Sequence, residues 1–229
     1  GATGESANQL IKLIEERRWG RCQGLTRHQL LLDPAIPYTS HNSSMCFTAD
    51  LEAVYLPSLI KEAGRFLEQN SAPGSDPGLC VAVEEHLERA EELIAYGYET
   101  KVRIMTKAEA YGLAGKLGVH LSEHGGTGIG VIGALAGVGL RMTNNDGRFQ
   151  GKLKLKGPGA TMSVAEIKSC SPVERVQSLA GRILGDDEEL RLGKKLKTVL
   201  LNGKRTLLVY RPEGEPGWET CTNRHLEDY

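Results

Sequence analysis

Apolar residues at 7, 10, 11 and 14, with charged residues on the opposite side, give residues 6–18 the spacing of an amphipathic helix that ends at Trp19-Gly20. The pattern then tightens. Leu25 to Leu32 reads as a buried strand closed by a turn at Pro34 and Pro37, and Ser44 to Thr48 reads as a second strand. Helical spacing returns over residues 53–69, followed by the loop composition of Asn70 to Gly78 and a short apolar strand at 79–83. Two further helices, over 84–96 and 107–117, precede a short strand at 118–121. Beyond Asn144-Asn145-Asp146-Gly147 the elements shorten. Lys and Leu alternate over 152–156 as in a strand, 171–183 reads as a helix capped by Ser171, and apolar runs around Asn202-Gly203 read as a hairpin. Strands and helices mixed throughout predict an α/β or α+β fold, a mixed sheet with helices in a larger N-terminal domain of residues 1–148, and a small β-rich α+β domain over 149–229.

Composition narrows the function classes. The chain has 229 residues, 40% of them apolar and 25% charged, which is the balance of an ordinary globular protein rather than a disordered one. A formal net charge of -1 gives no overall attraction to nucleic acid, but the halves differ. Residues 1–148 carry 14 Lys/Arg against 18 Asp/Glu, and residues 149–229 carry 14 against 11, so the tail is mildly basic. Five cysteines are scattered without a CxxC spacing, which argues against a disulfide framework and a zinc ribbon. No leader pattern opens the chain and no run reaches 18 apolar residues, so a cytoplasmic location with no membrane partner is expected.

The glycine-rich stretch from Gly125 to Leu140 carries the main chemical question. As a helix its sixteen residues would rise only about 24 Å, short of the roughly 30 Å hydrocarbon core of a bilayer. A Walker A loop needs Lys and Ser or Thr after its last glycine, where Ala134 and Leu135 stand instead. The dinucleotide fingerprint is met by Gly128, Gly130 and Gly133, yet the acidic residue expected about 20 positions on is missing, which weakens an NAD-dependent oxidoreductase reading. Two readings stay open. Gly133, Gly137 and Gly139 can mark a close crossing of another element, because each glycine otherwise costs a helix about 1 kcal/mol relative to alanine. Gly125, Gly126, Gly128 and Gly130 can let backbone N–H groups converge on a phosphate at a helix N-terminus.

Other polar clusters are less specific. Residues 26–44 gather His28, Tyr38, His41 and Asn42 around strand ends and a proline turn, a setting typical of sites and also of hydrogen-bonded turns. Ser75-Asp76-Pro77-Gly78 reads as a turn. Lys152, Lys154 and Lys156 share one face of the predicted strand, either as a solvated face or as a phosphate contact. No HxxxH spacing or Gly-x-Ser-x-Gly elbow occurs, so the sequence draws no metal site and no nucleophile elbow.

Three islands, in order, resemble the family of synthetases that couple agmatine to the wobble cytidine of an isoleucine tRNA. Leu32-Asp33-Pro34-Ala35-Ile36-Pro37-Tyr38 resembles a family Leu-Asn-Pro-x-Ile-Pro-Tyr run, Asp76-Pro77-Gly78 its Asn-Pro-Gly, and Gly128 to Gly139 its Gly-Arg-Gly-Leu-Ile-Gly-Ala-Leu-Ala-Ala-Val-Gly. The resemblance covers roughly the first 148 residues, the ATP-using, kinase-like part of those enzymes. It implies ATP and Mg2+ as cofactors, phosphoryl-transfer or ligase-type chemistry, and tRNA or a small amine as partner besides the nucleotide. It places Gly126, Thr127, Gly128, Gly130 and Gly133 with Tyr38 and Asp76 at the nucleotide, and Thr3, His41 and Asn42 at the reacting groups. The family's acidic Asp-Asp-Thr-Asp motif and its zinc-ribbon cysteines are absent, and Ile129 stands where the family carries Arg. Only Gly1-Ala2-Thr3-Gly4 corresponds to the part after the acidic motif, so a segment preceding Gly1 is expected. The alternative is a non-catalytic nucleotide- or RNA-binding module in which the glycine helix is scaffold.

Overall fold

Leu10 and Ile14, four residues apart, turn one stripe of α1 (Ala2–Glu16) into the interior, where Ile14 packs with Trp19 and Leu59. The computed structural model describes residues 2–37 and 42–229, and the chain divides into two units, Gly1–Thr143 and Asn144–Tyr229. In the first unit, β1 (Gly20–Gln29) pairs antiparallel with β2 (Ser43–Leu51), and the ladder slips between Gln23 and Thr26. Such a bulge leaves backbone groups unpaired. Arg141 answers it from the core side, donating through Nη1 to Gly24 O and to Thr26 Oγ1, both at 2.8 Å.

A 3-10 turn at Ala53–Tyr55 leads into α2 (Leu56–Asn70), which carries Pro57 in its first turn, where a missing N–H is harmless. β3 (Gly78–Val81) and β4 (His120–Glu123) form a separate antiparallel pair with Gly78 opposite Glu123. Between them lie α3 (Ala90–Glu99) and α4 (Lys107–Leu117), and after β4 comes α5 (Gly130–Met142). The last helix is apolar on nearly every side, as a buried helix should be. It packs against β1, β2, β3, β4, α3 and α4, and its Val131, Leu135, Ala136 and Leu140 are wholly buried with Leu93 and Ala110. Its glycines allow those crossings. A Cβ on Gly139 would overlap Leu93 O, and a Cβ on Gly97 of α3 would stand 2.8 Å from Leu140 N.

The second unit holds β5 (Arg148–Phe149), β6 (Thr161–Ser163), α6 (Val164–Cys170), β7 (Arg175–Ser178), β8 (Glu189–Arg191), β9 (Thr198–Leu201), β10 (Lys204–Tyr210) and β11 (Trp218–Thr220). Its strands run β5-β9-β10-β11-β8-β6, with β7 parallel to β10. The hairpin expected at Asn202-Gly203 joins β9 to β10, with φ of 48° and 68° at the two turn residues, the left-handed values that a two-residue hairpin requires. The fold is the mixed α/β arrangement the pattern predicts.

Three elements differ from expectation. The helix expected over 84–96 is a 3-10 turn at Glu84–His86 followed by α3 only from Ala90. The run 171–183 is not a helix. It contains β7, and the helix of this region is α6, which lies earlier in the chain and is opened by Ser163 and Glu166 as a capping box. Lys152 to Lys156 forms no strand, although Leu153 and Leu155 still turn toward the core of Met162, Ile167, Val176 and Leu207. Alternation there serves burial without a ladder.

Candidate functional site

Where β4 ends, residues 124–129 swing into the first turn of α5. Gly126 and Gly128 make the swing with φ of 63° and 78°, a region that a β-branched residue enters only with strain. The turn aims the N–H groups of Thr127 and Gly128 at one point, and both donate to Oδ1 of Asp76, that of Gly128 at 2.8 Å. Asp76 also lies close along its backbone, since a Cβ on Gly130 would overlap Asp76 O, and Gly78 faces Gly130 so tightly that a Cβ there would stand 2.5 Å from Gly130 C. The loop is therefore an anion-binding turn at a helix N-terminus whose anion is a carboxylate of the same chain. The N–H groups of Gly125 and Gly126 meet no acceptor among the described residues.

A charged set closes the other side of the loop. Lys107 Nζ, from the first turn of α4, donates to Thr127 O at 3.0 Å and reaches Glu123 Oε1 at 2.7 Å. Tyr111 Oη, one turn on, donates to the same carboxylate at 2.9 Å. The hydrogen bond from Lys107, then that from Tyr111, holds the Glu123 carboxyl below the usual carboxylate range. Partial burial, and then Glu123, pushes the Tyr111 phenol up. A Cβ on Gly128 would displace the end of the Glu123 side chain, and its φ of 78° is what calls for glycine here.

Of the residues singled out in the sequence, the structure brings together Asp76, Gly126, Thr127, Gly128 and Gly130. Gly133 lies one turn further into α5 and faces Leu30 Cδ1, at 3.3 Å from where its Cβ would be. Thr3 is exposed in the first turn of α1, a helix that contacts β1, β2 and α2. Asn42 closes the base of the β1–β2 hairpin, donating through Nδ2 to Leu31 O at 2.8 Å while its carbonyl accepts from Leu30 N. His28 is fully buried, its Nε2 2.8 Å from Thr26 Oγ1. Tyr38 and His41 lie outside the described residues. Lys107, Tyr111 and Glu123 have no motif of their own, and the only sequence signal for them is that Glu123 closely precedes the glycine run.

The two cofactors of the resemblance fare differently against these residues. The glycine turn and Lys107 suit a phosphate chain. For magnesium, no three His, Cys, Asp or Glu side chains gather among the described residues, a cluster that an ion held mainly by nucleotide phosphates does not need. Likewise, no helix of the described residues is long and apolar enough to cross a membrane.

Fold and loop together define a mixed α/β protein in which a glycine turn, capped by a carboxylate, feeds a buried helix. No family model and no curated protein matches the chain. Solved structures do. The chain is similar to a tRNA fluorescent labeling enzyme at 25% identity and a TM-score of 0.50, over 60% of this chain and 32% of that one. It is similar with the same figures to TiaS in its complex with an isoleucine tRNA and ATP. For apo TiaS, described as an agmatidine synthetase of that tRNA, the identity is 24% and the TM-score 0.49, over 60% of this chain and 31% of that one. The chain thus spans about a third of the length of the structures it resembles.

Proposed function

We propose that the unit Gly1–Thr143 is a nucleotide-binding core that takes the phosphates of ATP at the glycine turn and belongs to a phosphoryl-transfer or ligase-type enzyme related to tRNA modification. One observation carries this reading: the N–H groups of Thr127 and Gly128 already converge on an anion at the N-terminus of α5. The likeness to the complex of TiaS with its tRNA and ATP supports it. Gly126, Thr127 and Gly128 would hold the phosphates through their backbone in place of the Asp76 carboxylate, with Lys107 supplying positive charge. ATP would supply a transferable phosphoryl group, and the chain's own contribution is to orient it and stabilise its charge. Tyr38 is assigned to the nucleotide, and Thr3, His41 and Asn42 to the reacting groups, where a tRNA nucleotide or a small amine would stand.

Isothermal titration of ATP, with and without magnesium, tests the reading. Wild-type protein is expected to bind in the micromolar range. Lys107→Ala is expected to weaken binding by about tenfold, the equivalent of 1.4 kcal/mol, and Gly128→Val to abolish it. Lys107→Ala matters most, because Gly128→Val also strains the turn. No heat from wild-type protein overturns the nucleotide reading. Binding of tRNA that is insensitive to ATP and falls steeply with salt would favour the non-catalytic RNA-binding module instead.

A further inference from the structure

Alternate residues of an extended chain share a face, so residues 120, 122 and 124 project to one side of β4 and its continuation. Their side chains form one line of hydrogen bonds. His120 Nε2 lies 2.9 Å from Ser122 Oγ, Ser122 Oγ lies 2.7 Å from His124 Nε2, and His124 Nδ1 lies 2.9 Å from Glu68 Oε1 on α2. Gly64, one helical turn before Glu68, makes the room. A Cβ there would stand 2.6 Å from His124 Cε1, so the ring rests against bare backbone. The His124 side chain is 11% exposed.

With His124 neutral, as a base must be, the proton inventory of these groups gives the line one direction. A carboxylate can only accept, so Nδ1 of His124 carries a hydrogen and donates it to Glu68. In neutral imidazole the other nitrogen is then an acceptor, and Ser122 must donate its one hydrogen to His124 Nε2. That leaves His120 Nε2 as the donor to Ser122 Oγ. His120 suits this neutral role, since burial and then the neighbouring His124 lower its pKa. The order carboxylate, imidazole, hydroxyl is that of a serine nucleophile with its base and the group that orients the base. His120, on the same strand face as Ser122, also forms part of the wall of a pocket of about 180 Å3 lined by Leu56, Ile60, Val81, His86 and Leu117. Cavities near 150 Å3 accept a benzene ring, so this one is of the size for a short acyl chain.

We propose that Ser122 and His124 form a second catalytic site that hydrolyses esters or thioesters of short apolar acids, with Glu68 as the positioning residue for His124. Ser122 Oγ attacks the acyl carbonyl carbon while its proton passes to His124 Nε2. The carbon–oxygen or carbon–sulfur bond to the leaving group breaks, and the departing alcohol or thiol takes that proton from His124. Water then attacks the acyl-serine, giving its proton to His124, and the carboxylic acid leaves as Ser122 recovers its hydrogen. His124 opens the loop that leads to the glycine turn, but none of these side chains takes part in the phosphate site, so serine labelling and ATP titration test the two sites separately.

The test is labelling of the full chain by a biotinylated fluorophosphonate, which reacts with activated serines, read by peptide mass spectrometry, alongside hydrolysis of p-nitrophenyl butyrate. Wild-type protein is expected to carry the label on Ser122, and Ser122→Ala to lose both label and hydrolysis. His124→Gln should slow labelling by about a hundredfold, the lower range for removal of a general base. Glu68→Gln should slow it by about tenfold and displace the pH profile of labelling, which a merely structural contact would not do. Glu68 is largely exposed, so this variant keeps the fold even if His124→Gln does not. Absence of label on Ser122 in wild-type protein, or wild-type labelling rates and pH profile in Glu68→Gln, overturns the proposal.

Discussion

The missing side chain of Gly139 sets the distance between α3 and α5. A Cβ at this position would overlap Leu93 O, a backbone atom that cannot rotate away, and Gly97 repeats the constraint from the opposite helix. Gly139→Ala is therefore expected to lower stability by about 1–3 kcal/mol, the range of overpacked cores, despite alanine's better helix propensity. A urea denaturation midpoint measures it, and an unchanged or higher midpoint would contradict the crossing. This much was readable from the chain, because three glycines inside an apolar helix carry a propensity cost that some contact has to offset. What the glycines between β4 and α5 hold was not readable. The resemblance sets Asp76 and the glycines together at a nucleotide, but nothing in the chain announces that the Asp76 carboxylate itself takes the Thr127 and Gly128 amides, some fifty positions away. Lys107 was hidden for the same reason.

At the scale of elements, local signals succeeded where they agreed with burial. α4 begins at Thr106, whose hydroxyl accepts from Glu109 N at 3.2 Å while the Glu109 carboxylate accepts from Thr106 N at 2.8 Å. Thr106→Ala is expected to cost about 1 kcal/mol, seen as a lower thermal midpoint. The same signature, Ser163 with Glu166, marks α6 and was the available signal for that helix. It was overshadowed by Val173, Val176, Leu179 and Ile183, whose spacing imitates a helical stripe. Burial separates the two periods. Val176 and Ser178 point inward, two apart as in a strand, whereas Leu179 and Ile183 are 49% and 57% exposed. The dipeptide Asn202-Gly203 allowed no such ambiguity, because left-handed φ values at two successive residues suit few other pairs.

Across the whole molecule, acidity should act in two steps. Burial, then His124, lowers the pKa of His120 below its ordinary 6.5, so the folded state favours the neutral ring. That stabilisation is complete above pH 6.5 and is lost as the pH falls through the lowered value. Glu109 follows, held down to about 2 by the hydrogen bond from Thr106 and then by Arg103, so its contribution is present above 4.5 and fades toward pH 2. Urea midpoints taken from about pH 8 to about pH 3 should decline in that order, and His120→Gln should remove the first decline. The second candidate site shows why sequence order conceals chemistry. His120, Ser122 and His124 share a strand face by simple alternation, but their partner Glu68 is 56 positions from His124 and only the packing of α2 on β4's continuation joins them. The Asp76 clasp has a kinetic consequence of its own. A ligand that needs the Thr127 and Gly128 amides has to wait for that carboxylate to depart, so its rate of capture saturates with concentration at the rate of a unimolecular opening, and the side chain acts as a turnstile that each incoming anion must pass.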